Sequence, residues 1–322
     1  MDQTIAVLGA TGTQGGSVVR AMLEDKSWQV RGITRELSKD SVEALTSQGV
    51  EMVAADFNDE ESLMKAFEGV QAIFAVTNFW EHLAMGQAIL QAQYTEVEQG
   101  IKIAKAASRT TSLKHFIWSS LPSADETSSG KFKVPHCDSK AIVDEYMRWE
   151  LPELARKTTF LWVGYYASNI AFGPFTKLAL HAPSAKHIWT QPSTAEALIP
   201  MAGDVSVNIG VYACAILANP EITLPAKYTL IQTETVSHEG VVNTWSEVTG
   251  KKAEYVQVSM SVFVKLFGNM GRELAHQCMW FEDMQGWGAL RKGLLTANDL
   301  GIDEDKLVGL KGCLERLKAH LS

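Results

Sequence analysis

The chain has 322 residues, 46% hydrophobic and 20% charged, which suits one large domain or a core domain carrying a smaller lobe. A net charge of -8 and a pI near 5.5 disfavour a general nucleic-acid-binding surface. The four cysteines, Cys137, Cys214, Cys278 and Cys313, form no C-x-x-C pair and no zinc-type cluster, so no metal site is expected and a reducing compartment is. With no signal-peptide pattern at the start and no apolar run of about 18 residues, the expectation is a cytoplasmic protein, with a nuclear pool also compatible.

The first half alternates two kinds of segment. Short apolar runs at Thr4–Leu8, Gln29–Thr34, Val50–Ala54, Ala72–Val76, His115–Ser119 and Thr158–Val163 read as strands. Helical segments lie between them: Gln14–Leu23, Asp40–Gln48 before Gly49, Asp59–Phe67 capped by Asn58, Glu96–Ser108, and a helix from Pro135 to about Trp149. Such alternation predicts an α/β protein with a Rossmann-type, doubly wound parallel sheet. After Val163 the rhythm breaks. A helix Val205–Leu217 capped by Asp204, a strand Tyr228–Gln232, a helix capped by Ser237, a strand Ala253–Val258 and a final helix from about Asp303 to His320 are expected. The expected division is a dinucleotide-binding domain over 1–163 and a smaller α/β substrate or partner lobe over 164–322, with some segments returning to the first domain.

The first strand runs into Gly9-Ala10-Thr11-Gly12-Thr13-Gln14-Gly15, a G-x-x-G-x-x-G pattern between strand and helix. The first glycine allows a tight turn, the second lets backbone approach a pyrophosphate, and the third lets helix and strand pack closely. Free N–H groups at the helix start attract the phosphates. A ligand-free glycine turn is the less favoured alternative. The second strand ends Ile33-Thr34-Arg35, without the acidic residue that holds a ribose 2′-OH. Arg35 suits a 2′-phosphate instead, with Lys39 assisting, and the expected cofactor is NADP(H). Asp56-Phe57 follow the third strand, where they can meet adenine, or where Asp56 caps the next helix. Thr77-Asn78-Phe79 follow the fourth strand, at the edge where ligands collect.

Six segments in order, GATGTQGGSVV (9–19), ITR (33–35), AADFND (54–59), VTNFWE (76–81), VPHCDSKAIVDEY (134–146) and YYASN (165–169), resemble the NmrA-like family of atypical short-chain dehydrogenase/reductases. The resemblance implies that Gly9 to Gln14 cradle the pyrophosphate and that Arg35 holds the 2′-phosphate. It implies further that Asp56 and Phe57 flank adenine and that Thr77 to Phe79 line the nicotinamide side. Lys140 would contact the nicotinamide ribose, and Tyr166, Ala167, Ser168 and Asn169 would close over the ring. The family includes both redox-sensing regulators and fungal enzymes of secondary metabolism.

Related dehydrogenases carry Tyr-x-x-x-Lys where this chain has His136-x-x-x-Lys140. One helical turn separates the two, so they share a face. Three readings stay open: His136 is a replacement general acid, Lys140 donates the proton itself, or the pair only clamps the cofactor. Tyr165 and Tyr166 are spare proton donors. Asp138 and Asp144 read as solvated helix face, Cys137 as a small helix residue rather than a redox sensor, and Trp80-Glu81-His82 as pocket edge, with Trp80 equally suited to core. The Trp-rich segment 278–287 can roof an apolar substrate, or serve as lobe core or partner surface. Three functions follow. The leading expectation is an NADPH-dependent reductase of a small aromatic or polycyclic carbonyl, imine or enone. The alternatives are a non-catalytic NADP(H)-binding regulator that exchanges protein partners, and a redox-neutral isomerase or cyclase. Neither direct nucleic-acid binding nor membrane association is expected.

Overall fold

The computed structural model describes residues 3–173 and 176–321; Met1, Asp2 and Ser322, at the outer ends of the two expected domains, lie outside them. The strands are β1 Gln3–Leu8, β2 Trp28–Thr34, β3 Glu51–Ala54, β4 Ala72–Ala75, β5 His115–Ser120, β6 Thr158–Val163, β7 Tyr165–Tyr166, β8 Ala179–His181, β9 Lys186–Gln191, β10 Leu198–Gly203, β11 Lys227–Ile231, β12 Glu234–Ser237 and β13 Ala253–Gln257. Seven of them form a parallel sheet in the order β11-β6-β5-β4-β1-β2-β3. The central strands are covered on both faces, and β4, β5 and β6 are buried along their whole length. That is why they read as unbroken apolar or hydroxyl-bearing runs rather than as alternating ones.

Strand order reverses at β1, with β2 and β3 on one side and β4, β5, β6 and β11 on the other. A crevice opens there at the carboxyl ends of β1 and β4, the usual ligand position in an open α/β sheet. The helix Val205–Ala218 and β11 both come from the second half of the chain and complete this sheet domain. Contact between Val205–Ala218 and the helix Thr13–Asp25 is close: a Cβ at Gly210 would stand 2.4 Å from the Ser17 carbonyl oxygen. Ser17 Oγ locks the pair by donating to the Val207 carbonyl (3.0 Å) and accepting from the Gly210 N–H (2.8 Å).

Two three-stranded sheets, β12-β10-β7 and β13-β9-β8, build the second lobe. The long helix Met260–Met284 packs over it and breaks at Gly268, whose φ of 65° and ψ of -149° no helix holds. The expected helix Asp303–His320 is instead three short pieces, Glu304–Lys306, Leu310–Arg316 and Lys318–His320. Asp303 caps the first piece, and the Leu310 N–H leaves the helical pattern to donate to Glu234 Oε1 (2.7 Å). Asp59, not Asn58, caps the helix Glu60–Ala66, because its carboxylate reaches the N–H groups of Glu61 and Ser62.

Candidate functional site

A single cleft of about 700 Å³ runs from the glycine loop across the ends of β1 and β4 to the inner face of the second lobe. Its size lies within the range of small-molecule sites. At one end the three glycines behave as their spacing predicts. Gly9 has φ +65°, the left-handed region that favours glycine. A Cβ on Gly15 would fall 2.2 Å from the Gly9 carbonyl oxygen, so only glycine lets the helix start against β1. The helix Thr13–Asp25 has no side-chain cap, which leaves its first N–H groups turned toward the cleft for an anion. Gln14 is fixed between elements: it accepts from Ser119 Oγ (2.8 Å) and donates to the Tyr166 hydroxyl.

Arg35, Lys39, Asp56 and Phe57 line the outer part of the cleft. The Arg35 guanidinium pairs with Glu81, a carboxylate from the helix Phe79–Ala84 on the opposite wall. Asp56 accepts from the Asn58 backbone and side-chain N–H groups (2.8 and 2.9 Å), which shapes the turn after β3.

The inner part is built on the helix Pro135–Glu150. Pro135 occupies its first turn, and Asp138 reaches back to accept from the Val134 N–H (2.9 Å), the Asp125 N–H (3.1 Å) and Ser123 Oγ (3.1 Å). Asp138 and Asp144 are both buried, which corrects the expectation of a solvated helix face. Lys140 Nζ is buried too, and donates to Thr77 Oγ1 (2.8 Å), the Thr77 carbonyl (3.2 Å) and Glu96 Oε1 (2.9 Å). Thr77 Oγ1 and Ser139 Oγ also donate to the Glu96 carboxylate. Burial pushes the Glu96 carboxyl up, but the Lys140 ammonium and these hydroxyls outweigh it and hold it below its usual range.

His136 lines the cleft one turn before Lys140. Its Nδ1 is bonded to Glu273, from the helix Met260–Met284, and its Nε2 stands 3.3 Å from Gln277 Nε2. Trp80 and Phe79 flank the ring, with centroids at 5.1 and 6.0 Å. Burial works against the charged imidazole, yet attraction to Cys137 and Glu273 prevails and lifts it well above its ordinary value. Burial also pushes the Cys137 thiol up, which leaves it uncharged near neutrality, so Glu273 is the anion that matters.

The roof is apolar. Met270, Leu274 and Phe281 recur along one face of the helix Met260–Met284, with Gln277 among them, and Trp287, Tyr165 and Leu121 complete the lining. The Trp-rich segment thus contributes Phe281 and Trp287 to the cleft, while Trp280 is core. Tyr165 and Tyr166 also line it, but burial raises both phenols, Tyr166 to about 12, and Tyr166 already accepts from Gln14. Gly9, Thr11, Gly12, Thr13, Gln14, Gly15, Thr77, Asn78, Phe79 and Asn169 lie on the cleft wall. Ala10 and Ala167 are buried away from it, and Ser168 precedes the short helix Asn169–Phe172 without lining it. Glu81 and Trp80 line the cleft, as expected of a pocket edge, while Glu96, Glu273 and Gln277 were not singled out in sequence. The one available signal was the apolar period at 270, 274 and 281, which marks a buried helix face.

This site, on a parallel sheet with a dinucleotide-type crevice, defines a Rossmann-fold protein with a two-lobed ligand cleft. The sequence profile of the NmrA-like family matches residues 1–307, and the chain belongs to that family. It is 28% identical over 259 residues to an NmrA-like family domain-containing protein of Dictyostelium discoideum, covering 79% of this chain and 80% of that one. It is 35% identical over 165 residues to the NmrA-like oxidoreductase hkm9 of Aspergillus hancockii. That match covers 51% of this chain and 47% of the relative, less than half its length. The fold matches the crystal structure of NmrA, a negative transcriptional regulator, in complex with NADP, with a TM-score of 0.70 at 21% identity over 99% of this chain and 91% of the other. Among the described residues no helix is long and apolar enough to cross a membrane, and no cluster of three metal-ligating side chains occurs.

Proposed function

We propose that the protein is an NADPH-dependent oxidoreductase acting on a small, flat, conjugated carbonyl, imine or enone. The carrying observation is the continuity of one cleft from the glycine loop and Arg35 to His136 and the apolar roof. The glycine cradle fits a pyrophosphate, since a Cβ at Gly12 would stand 3.2 Å from the Gly9 carbonyl and narrow the approach. Arg35, with Lys39 near, would hold the 2′-phosphate, and Asp56 and Phe57 the adenine. Lys140 would hold the ribose hydroxyls beside Thr77. Bound NADPH supplies a hydride. The chain's own part is to orient the acceptor beneath Met270, Leu274, Phe281 and Trp287, to exclude water, and to present a proton at His136. The NADP complex of NmrA and the Aspergillus relative, an NmrA-like oxidoreductase, support this reading.

Calorimetry with NADPH and NADH tests it. Arg35→Ser is expected to cost NADPH roughly tenfold in affinity and NADH little, the scale of one charge-assisted hydrogen-bonded contact of about 1.5 kcal/mol. Equal binding of the two cofactors by the wild type overturns it. A second reading, a cofactor-dependent regulator without turnover, is favoured by the histidine at position 136 where related dehydrogenases have tyrosine, and by the likeness to NmrA, a negative transcriptional regulator. Tight NADPH binding without oxidation of it across a panel of conjugated carbonyls and imines would select that reading.

A further inference from the structure

One buried anion in the molecule has half of its bonding capacity in use. Glu273 is 3% exposed, and its Oε1 takes both the His136 imidazole at Nδ1 and the His136 backbone N–H (3.3 Å). Its Oε2 is buried without a hydrogen-bond partner among the described residues. An under-bonded carboxylate is costly in this setting unless a full positive charge faces it. Among the described residues, the groups that contact the pair offer one. On its own helix His136 is next to Cys137, a thiol, and one turn from Lys140, whose ammonium is engaged by Glu96. From the helix Phe79–Ala84, Glu81 is paired with Arg35, and His82 contacts Gln99 (3.1 Å). From the helix Met260–Met284, His276 contacts the Lys133 carbonyl (3.1 Å), Cys278 Sγ approaches Gln191 Oε1 (3.4 Å), and Gln277 is uncharged. The His136 ring is therefore the counter-charge to Glu273.

We propose that Glu273 is a positioning residue that keeps His136 doubly protonated, so that the ring offers an N–H at Nε2 to a neutral acceptor, and that the substrate is a conjugated carbonyl rather than a pre-formed iminium cation. The proposal rests on the oxidoreductase reading above. The atoms balance as follows. The carbonyl carbon accepts the hydride that bound NADPH supplies, the C=O π pair moves to oxygen, and that oxygen takes the proton from His136 Nε2. The ring is left neutral, still hydrogen-bonded through Nδ1 to Glu273, and regains its proton from solvent. An iminium carbon accepts hydride without any proton, and would leave this buried couple unused. Gln277 reaches the same nitrogen: its amide Nε2 lies 3.3 Å from His136 Nε2 on the cleft wall, and only a half-turn of the amide, which exchanges nitrogen and oxygen, puts there the acceptor that a protonated ring requires and that a substrate carbonyl would replace.

The first test needs neither cofactor nor substrate. The His136 ring is followed by NMR across pH in the wild type, Glu273→Gln and Glu273→Asp, and assigned by its absence in His136→Asn. The expectation is an imidazolium that persists well above pH 6.5 in the wild type, retreats to about 6.5 or below in Glu273→Gln, and recovers in Glu273→Asp. Kinetics then compare planar ketones with a pre-formed iminium. Glu273→Gln is expected to lose about a hundredfold in kcat on ketones, with KM for NADPH kept and the alkaline limb of the pH profile moved down, and to lose at least tenfold less on the iminium. Identical titration of His136 in the wild type and Glu273→Gln, or equal losses on the two substrate classes, overturns the proposal. If Glu273→Gln does not fold, Glu273→Asp decides: an imidazolium that disappears despite the retained charge also overturns it. Failure of NADPH to bind would instead defeat the oxidoreductase reading and leave the titration result standing.

Discussion

Along one face of the helix Pro135–Glu150, three successive turns carry His136, Lys140 and Asp144, and all three are buried. The first two each meet a carboxylate, but from different parts of the fold. Lys140 meets Glu96, from the long helix Ile89–Ser108 of the sheet domain, inside a network that Thr77 and Ser139 complete. His136 meets Glu273 across the lobe boundary, in a pair that leaves one oxygen unsatisfied. A fully bonded buried ion pair fixes a geometry; an incompletely bonded one keeps a charge available. The Lys140 end of the cleft is thus specified by the sheet domain alone, and the His136 end is assembled only when the second lobe is in place.

The largest effect expected from breaking this comparison is at Glu96. Glu96→Gln removes the negative charge but keeps the shape, so the Lys140 ammonium stays buried without its counter-ion. Loss of one partner from such a pair costs about 3–5 kcal/mol, to be read from urea denaturation. The wild-type contribution has a defined pH sense: because the Glu96 carboxyl is held below its ordinary value of 4.5, its stabilisation is complete above that value and disappears as pH falls through the depressed one. Glu96→Gln should lack this acid limb. An unchanged denaturation midpoint would show that the Lys140 network is ornamental to the fold.

Asp144, the third turn, makes no ion pair among the described residues, although Arg148 one turn further on lies within electrostatic reach of it. Ser120 Oγ contacts both its carboxyl oxygens (2.7 and 2.8 Å), and burial pushes its pKa up to about 8 despite that contact. The folded protein therefore holds a proton here that the unfolded chain releases above the ordinary value of 3.8. Stability from this group must then fall as pH rises from about 4 toward 8, by about 1.4 kcal/mol for each pH unit in the middle of that window. Asp144→Asn keeps the neutral form at every pH, so its denaturation free energy should lack this slope and exceed the wild type's at pH 8. A wild-type curve that is flat over that window, or parallel to that of Asp144→Asn, is the outcome that defeats it.

These three residues also show what a linear reading can reach. The helix, its proline start and the shared face of His136 and Lys140 follow from spacing alone, as does the glycine cradle, whose steric demand at Gly15 the structure makes explicit. The six parallel strands β1 to β6 are legible because burial on both faces leaves apolar runs. The partners are a different matter. Glu96 lies 44 positions from Lys140 and Glu273 lies 137 from His136, and a glutamate within a helix has the same local signature whether it meets water or a buried cation. Asp144 looks solvent-facing for the same reason, since nothing within its own turn announces Ser120. The final helix fails because Gly309 and the contact to Glu234 interrupt a pattern that composition alone presents as continuous.

At the outer end of the cleft a third ion pair provides the contrast to both buried ones. Arg35 and Glu81 are 54% and 29% exposed at their side chains, and they bridge opposite walls at the place proposed for the 2′-phosphate. An exposed pair contributes only about 0–1 kcal/mol, so it is weak enough for a dianionic phosphate to displace, but it must be displaced. Glu81→Gln frees Arg35 in advance and removes a like charge from beside the incoming phosphate. NADPH affinity is expected to rise by a few-fold, the equivalent of under about 1 kcal/mol, with NADH affinity unmoved and with the gain shrinking at high salt as screening weakens the competing pair. Calorimetry at two ionic strengths separates these terms. A gain shared equally by NADH would place the effect in the wall rather than at the phosphate, and weaker NADPH binding would mean that Glu81 holds Arg35 in its binding posture instead of masking it.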